Sequence, residues 1–234
     1  MSSSVQRKRI RKSPAARRAE IVEKAAEIAL SEGLECITLR RIGEELDVRP
    51  GLVSHYFPST EELVAEAFGS AATGELDTLL PAESAESVGG LDLGAGTSTG
   101  KGTSTGTGTG TLSATERLAG FFARTSGPAW NDISRLWINA RHLTRYRPSL
   151  RDRVALQEAA WRGRLAAVIE DGVRRGEFRT QEEPSVVAVQ ILVVLDGLGA
   201  DGGADADMLP PVVARMAMTW AERELGLERG VLGP

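Results

Sequence analysis

The chemistry open to this chain is narrow. Its two histidines, His55 and His142, lie far apart in sequence, and its one cysteine, Cys36, has no second thiol with which to close a disulfide or build a zinc site. No nucleophile stands at a workable spacing from a base, so no catalytic residue is assigned and neither a metal nor another cofactor is expected. What the residues offer instead is binding chemistry of two kinds. Between Thr38 and Ser59 the sequence crowds together arginines (Arg40, Arg41, Arg49), hydroxyls (Thr38, Ser54, Tyr56, Ser59), the imidazole of His55, and the conformationally special Pro50 and Gly51. Side chains of these types donate to phosphate oxygens and to base edges. Between Trp130 and Trp161, a chain with only 5% aromatic residues collects Trp130, Trp137, Tyr146 and Trp161 together with His142 and Gln157. Large rings with a few polar groups are what a mainly apolar small-molecule cavity needs.

Both sets need a scaffold, and the rest of the sequence supplies helices. From Ala15 to Ser31, apolar side chains recur at Ile21, Val22, Ala25, Ile28 and Ala29 with charged residues opposite. That spacing predicts an amphipathic helix, closed by Gly33. Thr38 is placed to cap a short second helix with Leu39, Ile42 and Leu46 on its buried side. Asp47 and Val48 make a turn, Pro50 suits the first position of a third helix, and Pro58 stops that helix after about two turns. Ser59, with Glu62 three residues on, reads as a capping box for a fourth helix running to about Leu80, whose apolar face is Leu63, Val64, Ala67, Phe68 and Ala71. Helical periodicity resumes at Ala114 and predicts segments at 114–125, 129–146, 149–175, 184–199 and 208–226. No two-residue alternation or Asn-Gly turn competes with it, so the fold is expected to be all-α with about nine helices.

The formal net charge of −4 hides an asymmetry, because residues 1–18 hold seven basic side chains and no acidic one, leaving about −11 for the remainder. A Ser-rich basic arm over 1–14, ending at Pro14, is expected to stay flexible and to favour a polyanion, or else to serve only as a solubilising tail. Residues 89–111 are dominated by Gly, Thr and Ser and cannot bury a core. A disordered loop is therefore expected over about 82–112, inside the larger domain, with an interdomain linker as the other reading. No apolar run reaches the ~18 residues that span a bilayer, and no apolar signal core follows the basic start, so a cytoplasmic protein away from membranes is expected.

Two short helices joined by a tight turn have the geometry that lays one helix in the DNA major groove while the other crosses the backbone. Many bundles contain such hairpins; the specific signal is the string from Thr38 to Leu63, TLRRIGEELDVRPGLVSHYFPSTEEL. It resembles the signature of the TetR family of transcriptional regulators. In that signature a capped T-x-x-x-I-A helix, a G-V-S turn, a G-x-x-Y-x-H-F recognition helix and an S-K-E-x-L start of the fourth helix follow at fixed spacing. The S-H-Y-F form seen in choline-pathway regulators is the most similar subtype. The resemblance is strong over 17–70 and weak beyond. It implies a three-helix helix-turn-helix DNA-binding domain over 15–58, followed over 59–226 by a helical ligand-binding and dimerisation domain. The protein is then expected to be a homodimeric repressor, released from a palindromic double-stranded operator by a small-molecule effector.

On that reading Leu39, Ile42, Leu46, Val48, Phe57 and Leu63 form a small core, and Gly43 lets helices approach closely. Base edges are read from Arg49, Pro50, Gly51, Ser54 and His55. Thr38, Arg40, Arg41, Tyr56 and Ser59 hold phosphates and fix register, with the helix starts at Thr38 and Ser59 adding N–H donors; the alternative for Arg40 and Arg41 is an ordinary solvated charge. Three positions depart from the family pattern. Thr60 stands where Lys is usual and removes a phosphate partner, Asp47 takes the place of a Gly in the left-handed turn, and Arg49 replaces a Ser cap while adding a cation toward DNA.

Trp130, Trp137, His142, Tyr146, Gln157 and Trp161 are the candidate pocket residues, although tryptophans at helical spacing also serve as plain core. Asn139 is a further polar candidate, and Arg141, Arg145 and Arg147 would face an anionic effector or only solvent. The run Val186 to Leu198 is apolar nearly all round, more than one chain readily covers. Val187, Ile191, Val194 and Leu195, with Val213, Met216 and Trp220, are therefore expected at a two-fold interface that sets two recognition helices one DNA turn apart. Effector binding among the fifth to eighth helices would shift the fourth, which is tied to the recognition helix through Phe57 and Leu63. Two rival readings remain: a dimeric DNA-binding protein that senses no ligand, and an all-helical enzyme, against which the missing nucleophile and base weigh.

Overall fold

The computed structural model describes residues 12–82, 112–125, 128–201 and 210–233, and among these it is all-α. α1 spans Pro14–Glu32, a 3₁₀ turn covers Leu34–Cys36, and α2 (Leu39–Glu45), α3 (Pro50–Tyr56) and α4 (Thr60–Leu79) follow. Beyond them come α5 (Ala114–Arg124), α6 (Pro128–Leu143), α7 (Pro148–Arg174), α8 (Pro184–Asp201), α9 (Pro211–Ala214) and α10 (Met216–Glu224). The last expected segment divides in two because the backbone of Arg215, at φ −96° and ψ 10°, steps out of the helical region. No helix among the described residues is long and apolar enough to cross a membrane.

Local chemistry explains the helix starts and stops. Ser13 Oγ accepts the Ala16 N–H at 3.2 Å, Pro14 takes the first position of α1, and Gly33 at φ 106° ends it. Ser13 and Pro14 thus belong to a cap, where the sequence suggested the end of a flexible arm. The rest of that arm, residues 1–11, and the glycine-rich stretch 83–111 lie outside the described residues. At α5, Ser113 and Glu116 form a reciprocal capping box, with the Ser113 N–H donating to Glu116 Oε2 at 2.8 Å.

The described residues pack as two units, one of 12–73 with 132–157, the other of 74–82, 112–125 and 128–131 with 158–201 and 210–233. In the first unit the helix-turn-helix shares a core with the start of α4 and the junction of α6 and α7. Ile21, Ala25, Leu34, Ile42, Val53, Phe57, Leu63 and Phe68 are fully or almost fully buried there, and Trp137 meets Phe68 edge-on at 5.0 Å between centroids. In the second unit Leu118, Phe121, Trp161, Leu165, Ile169 and Phe178 are buried. Gly172 is required there, because a Cβ at this position would lie 2.2 Å from Phe178 Cδ2. α8 packs against α10, burying Val187, Ile191 and Leu195 within the chain and leaving Val186, Val189 and Val193 exposed.

Glu177 closes this second unit by accepting the N–H groups of Ala114 (3.2 Å) and Thr115 (2.9 Å) and the Thr115 hydroxyl (2.9 Å) at the start of α5. Burial alone would raise its pKa, but the Thr115 and Ala114 hydrogen bonds outweigh burial and hold it below the ordinary value of 4.5. A folded-state pKa below the unfolded one contributes stability above the unfolded value, and that contribution disappears as pH falls through the lowered pKa. Urea unfolding of wild type and Glu177→Gln is therefore expected to show the largest gap at neutral pH, closing below 4.5. A gap constant with pH would remove the ionised carboxylate from this role.

Candidate nucleic-acid interface

The segment between Thr38 and Ser59 is built to present one face of α3. Thr38 Oγ1 caps α2 by accepting the Arg41 N–H at 3.1 Å. The turn closes when the Val48 N–H donates to the Gly43 carbonyl at 2.8 Å, with Asp47 in the left-handed conformation at φ 50°. Asp tolerates that region better than most residues, so it replaces a glycine here at modest strain. Arg49 precedes the helix in an extended conformation with no side-chain cap, and Pro50 starts it. Ser59 Oγ then accepts the Glu62 N–H at 3.1 Å at the start of α4.

Val53 and Phe57, both fully buried together with Ile42, fix the inner side of α3. Val53 was not among the residues the sequence pattern marked as core, whereas Leu39, Leu46 and Val48, which were, are only half-buried. The outer side carries Arg49, Gly51, Ser54 and His55, all exposed, and His55 meets the half-buried Tyr56 edge-on at 5.3 Å. Nothing lies within 4 Å of where a Gly51 Cβ would stand, so the fold itself does not demand glycine there. A missing side chain in open space lets the helix backbone come close to whatever it faces.

Arg40 is exposed and Arg41 half-buried, and both are engaged, Arg40 with Glu44 at 2.8 Å and Arg41 with Glu32 at 2.5 Å. The Arg41 hydrogen bond holds the Glu32 carboxyl below its usual range. Solvent-screened pairs of this kind hold weakly, so a phosphate can replace the glutamate.

Behind α3 stands an ionic tie that the sequence does not announce. The Arg18 guanidinium lies 4.7 Å from the centroid of the Phe57 ring and 3.4 Å from Glu66 Oε2. Arg153 of α7 binds the other oxygen of the same carboxylate. Gly69 makes room for it, since a Cβ there would lie 2.7 Å from Arg153 Cδ. A cavity of about 580 Å³ runs alongside, lined among others by Arg18, Val22, Glu66, Ser70, Thr73 and Arg153.

The expected pocket residues fall in both units, and in the first His142 and Tyr146 meet edge-on at 6.3 Å. In the first, Trp137 is core against Phe68 with the Arg141 guanidinium 5.1 Å over its ring, and Gln157 donates to the Gly69 carbonyl (3.3 Å) and Thr73 Oγ1 (3.0 Å). Asn139 accepts the Leu34 N–H at 2.9 Å and so serves the fold. His142 and Tyr146 are exposed, the latter 72%. In the second unit Trp130 is half-buried, while Trp161 packs 6.4 Å from Phe121 with a buried indole N–H that has no partner among the described residues. The expected interface residues also divide. Val187, Ile191 and Leu195 are spent inside the chain, Val194, Val213 and Trp220 are half-buried, and Met216 is exposed.

A short, tightly anchored helix whose outer face is small, cationic and free of packing defines a helix-turn-helix DNA-binding protein. Comparisons agree and go further. Residues 21–67 match the profile of bacterial regulatory proteins of the tetR family, and residues 125–226 match that of the C-terminal domain of BetI-type transcriptional repressors, together more than half of the chain. A TetR-family regulator from Rhodococcus sp. superposes with a TM-score of 0.65 at 19% identity, over 90% of this chain and 99% of that one. A transcriptional regulator from Saccharomonospora viridis, solved with choline, gives 0.64 at 18%, over 92% and 100%. Salmonella enterica GusR gives 0.63 at 16%, over 92% and 98%. No curated relative matches in sequence. The chain belongs to the TetR family of transcriptional regulators.

Because Gly51 is free of the fold's demands, Gly51→Ala is expected to leave the melting temperature unchanged or to raise stability by up to about 1 kcal/mol. The same variant is expected to lose at least ~10-fold in affinity for DNA, read by fluorescence anisotropy, as the added methyl holds α3 off the groove. Full DNA affinity with the methyl in place would show that α3 does not approach bases closely.

Proposed function

We propose that this protein is a homodimeric, cytoplasmic repressor that binds a palindromic operator through α3 and leaves it when a small molecule enters the α-helical body. The observation that carries the DNA half of this reading is the outer face of α3, where Arg49, Gly51, Ser54 and His55 are exposed while Val53 and Phe57 anchor the opposite side. Arg49 and His55 are assigned to base edges, and Thr38, Arg40, Arg41, Tyr56 and Ser59 to phosphates.

The effector half rests on Trp161. A buried indole N–H without an acceptor carries a desolvation penalty that a ligand carbonyl or carboxylate would relieve. Choline, present in the Saccharomonospora viridis structure, is the first compound to test, since its hydroxyl oxygen can accept the indole N–H and tryptophan faces suit quaternary ammonium groups. Dimerisation is assigned to the surface that α8 and its neighbours leave apolar, Val186, Val189, Val193, Val212 and Met216, each at least 37% exposed. This replaces Val187, Ile191 and Leu195, which the chain buries by itself.

Release follows from the tie behind α3. Glu66 joins Arg18, which covers Phe57, to Arg153 on α7. Any ligand that displaces α4 or α7 loads this tie and tilts α3, and it shifts the balance only by its preference for one of the two arrangements.

The test is a footprint on the DNA upstream of the protein's own coding region. Two protected half-sites with centres one helical turn apart, ~34–36 Å, are expected for a two-fold dimer. Arg49→Ala combined with His55→Ala is expected to abolish the footprint while the dimer persists in sedimentation. An intact footprint from that double variant would overturn the assignment of the reading residues.

A further inference from the structure

We infer that the turn joining α6 to α7 is a second DNA contact, which grips phosphates beside the half-site through Arg145 and Arg147 and carries no sequence preference. The inference rests on the DNA-binding reading above and adds to it a surface outside the helix-turn-helix.

The sequence here is strongly one-signed. From Ile133 to Arg151 there are five arginines, Arg135, Arg141, Arg145, Arg147 and Arg151, and no aspartate or glutamate. Of these five, Arg135 holds Asp132, Arg151 reaches the Thr144 carbonyl at 3.4 Å and Arg141 lies over the Trp137 ring. Arg17, Arg18, Arg40, Arg41, Arg135 and Arg153 each hold a carboxylate. Arg145 and Arg147, like Arg49 on the reading helix, hold none among the described residues. Arg145 is exposed and Arg147 half-buried. Between them stands Tyr146, 72% exposed, with His142 edge-on at 6.3 Å. Guanidinium groups without partners, beside a phenol and an imidazole on an open surface, form a set of donors matched to phosphate oxygens.

The position of the turn makes the partner specific. The Ser149 N–H donates to Glu61 Oε1 at 3.0 Å, joining the start of α7 to the first turn of α4. Arg147 is two residues from Ser149, and Ser59 is two residues from Glu61. At no more than ~3.6 Å per residue, chain geometry alone brings the Arg147 backbone within roughly 20 Å of the end of the reading segment. A second tie, the Leu34 N–H to Asn139 Oδ1 at 2.9 Å, holds α6 to the turn that follows α1. The basic turn is thus fixed to the same body as α3, within the span of a duplex that α3 engages. The acidic groups facing the region are Glu61, occupied by Ser149, Glu35, occupied by Asn139, and the exposed Asp152; none of them neutralises Arg145 or Arg147.

The test compares wild type, Arg145→Ala/Arg147→Ala and Arg145→Lys/Arg147→Lys, all confirmed as folded by circular dichroism melts. Anisotropy titrations over a salt series use two duplexes of equal length, one with the DNA upstream of the coding region and one of mixed sequence. The alanine pair is expected to lose roughly tenfold in affinity for both duplexes alike, and its plot of log K against log salt is expected to flatten by about 0.9 for every phosphate the protein no longer neutralises. The lysine pair is expected to keep the wild-type slope. Wild-type affinity and slope in the alanine pair would overturn the inference, and so would a loss confined to the upstream duplex. Unchanged DNA binding with a lost ligand response would overturn it in favour of an anionic effector site. Failure of the wild type to bind either duplex at low salt would instead bring down the DNA-binding reading itself.

Discussion

A helix of seven residues cannot hold itself together in water, because the cost of nucleation is spread over too few hydrogen bonds. α3 exists only because Val53 and Phe57 bury its inner side against Ile42 and the helices around it. The proposed reading of base edges depends on that constraint. The anchoring leaves the outer face free of packing duties, so Arg49, Gly51, Ser54 and His55 can be chosen for a partner outside the chain. Asp47 in its left-handed turn and Pro50 at the helix start set the angle at which that face is offered.

Under the proposed function, the same anchoring is also the route of control. Phe57 is covered by Arg18, Arg18 shares Glu66 with Arg153, and Arg153 lies over Gly69 at a distance no other residue would permit. The end of the recognition helix is therefore connected to α7 through one carboxylate and one ring. A regulator that must let go of DNA needs such a connection to have two settings, and ion pairs at a helix crossing exchange partners more readily than a packed apolar core rearranges.

Much of this was legible in the sequence. The all-α fold, the caps at Thr38 and Ser59, the helix start at Pro50 and the turn at Asp47 follow from local chemistry, and local chemistry is what a sequence displays. The length of α3 was legible too, since Pro50 starts it and Pro58 stops it, but its inner anchor Val53 was not. What was not legible is what depends on distant partners. Arg18, Glu66 and Arg153 lie 48 and 87 residues apart, and no spacing rule joins them. The apolar run in α8 was correctly seen as exceeding what a single face can bury. Which side the chain covers by itself depends on α10, which buries Val187, Ile191 and Leu195 and leaves Val186, Val189 and Val193 exposed. The aromatic residues from Trp130 to Trp161 were grouped by proximity in sequence, yet helices that turn back on one another sent Tyr146 to the surface and Trp161 to the core of the second unit.

The most direct measurement of the central claim is amide hydrogen exchange of the free protein and of its complex with the DNA upstream of its coding region. The account predicts new protection concentrated in residues 38–62, where α2, α3 and the start of α4 meet the groove and its phosphates. Protection that spared α3 while appearing elsewhere, or none at all on a complex known to form, would contradict it.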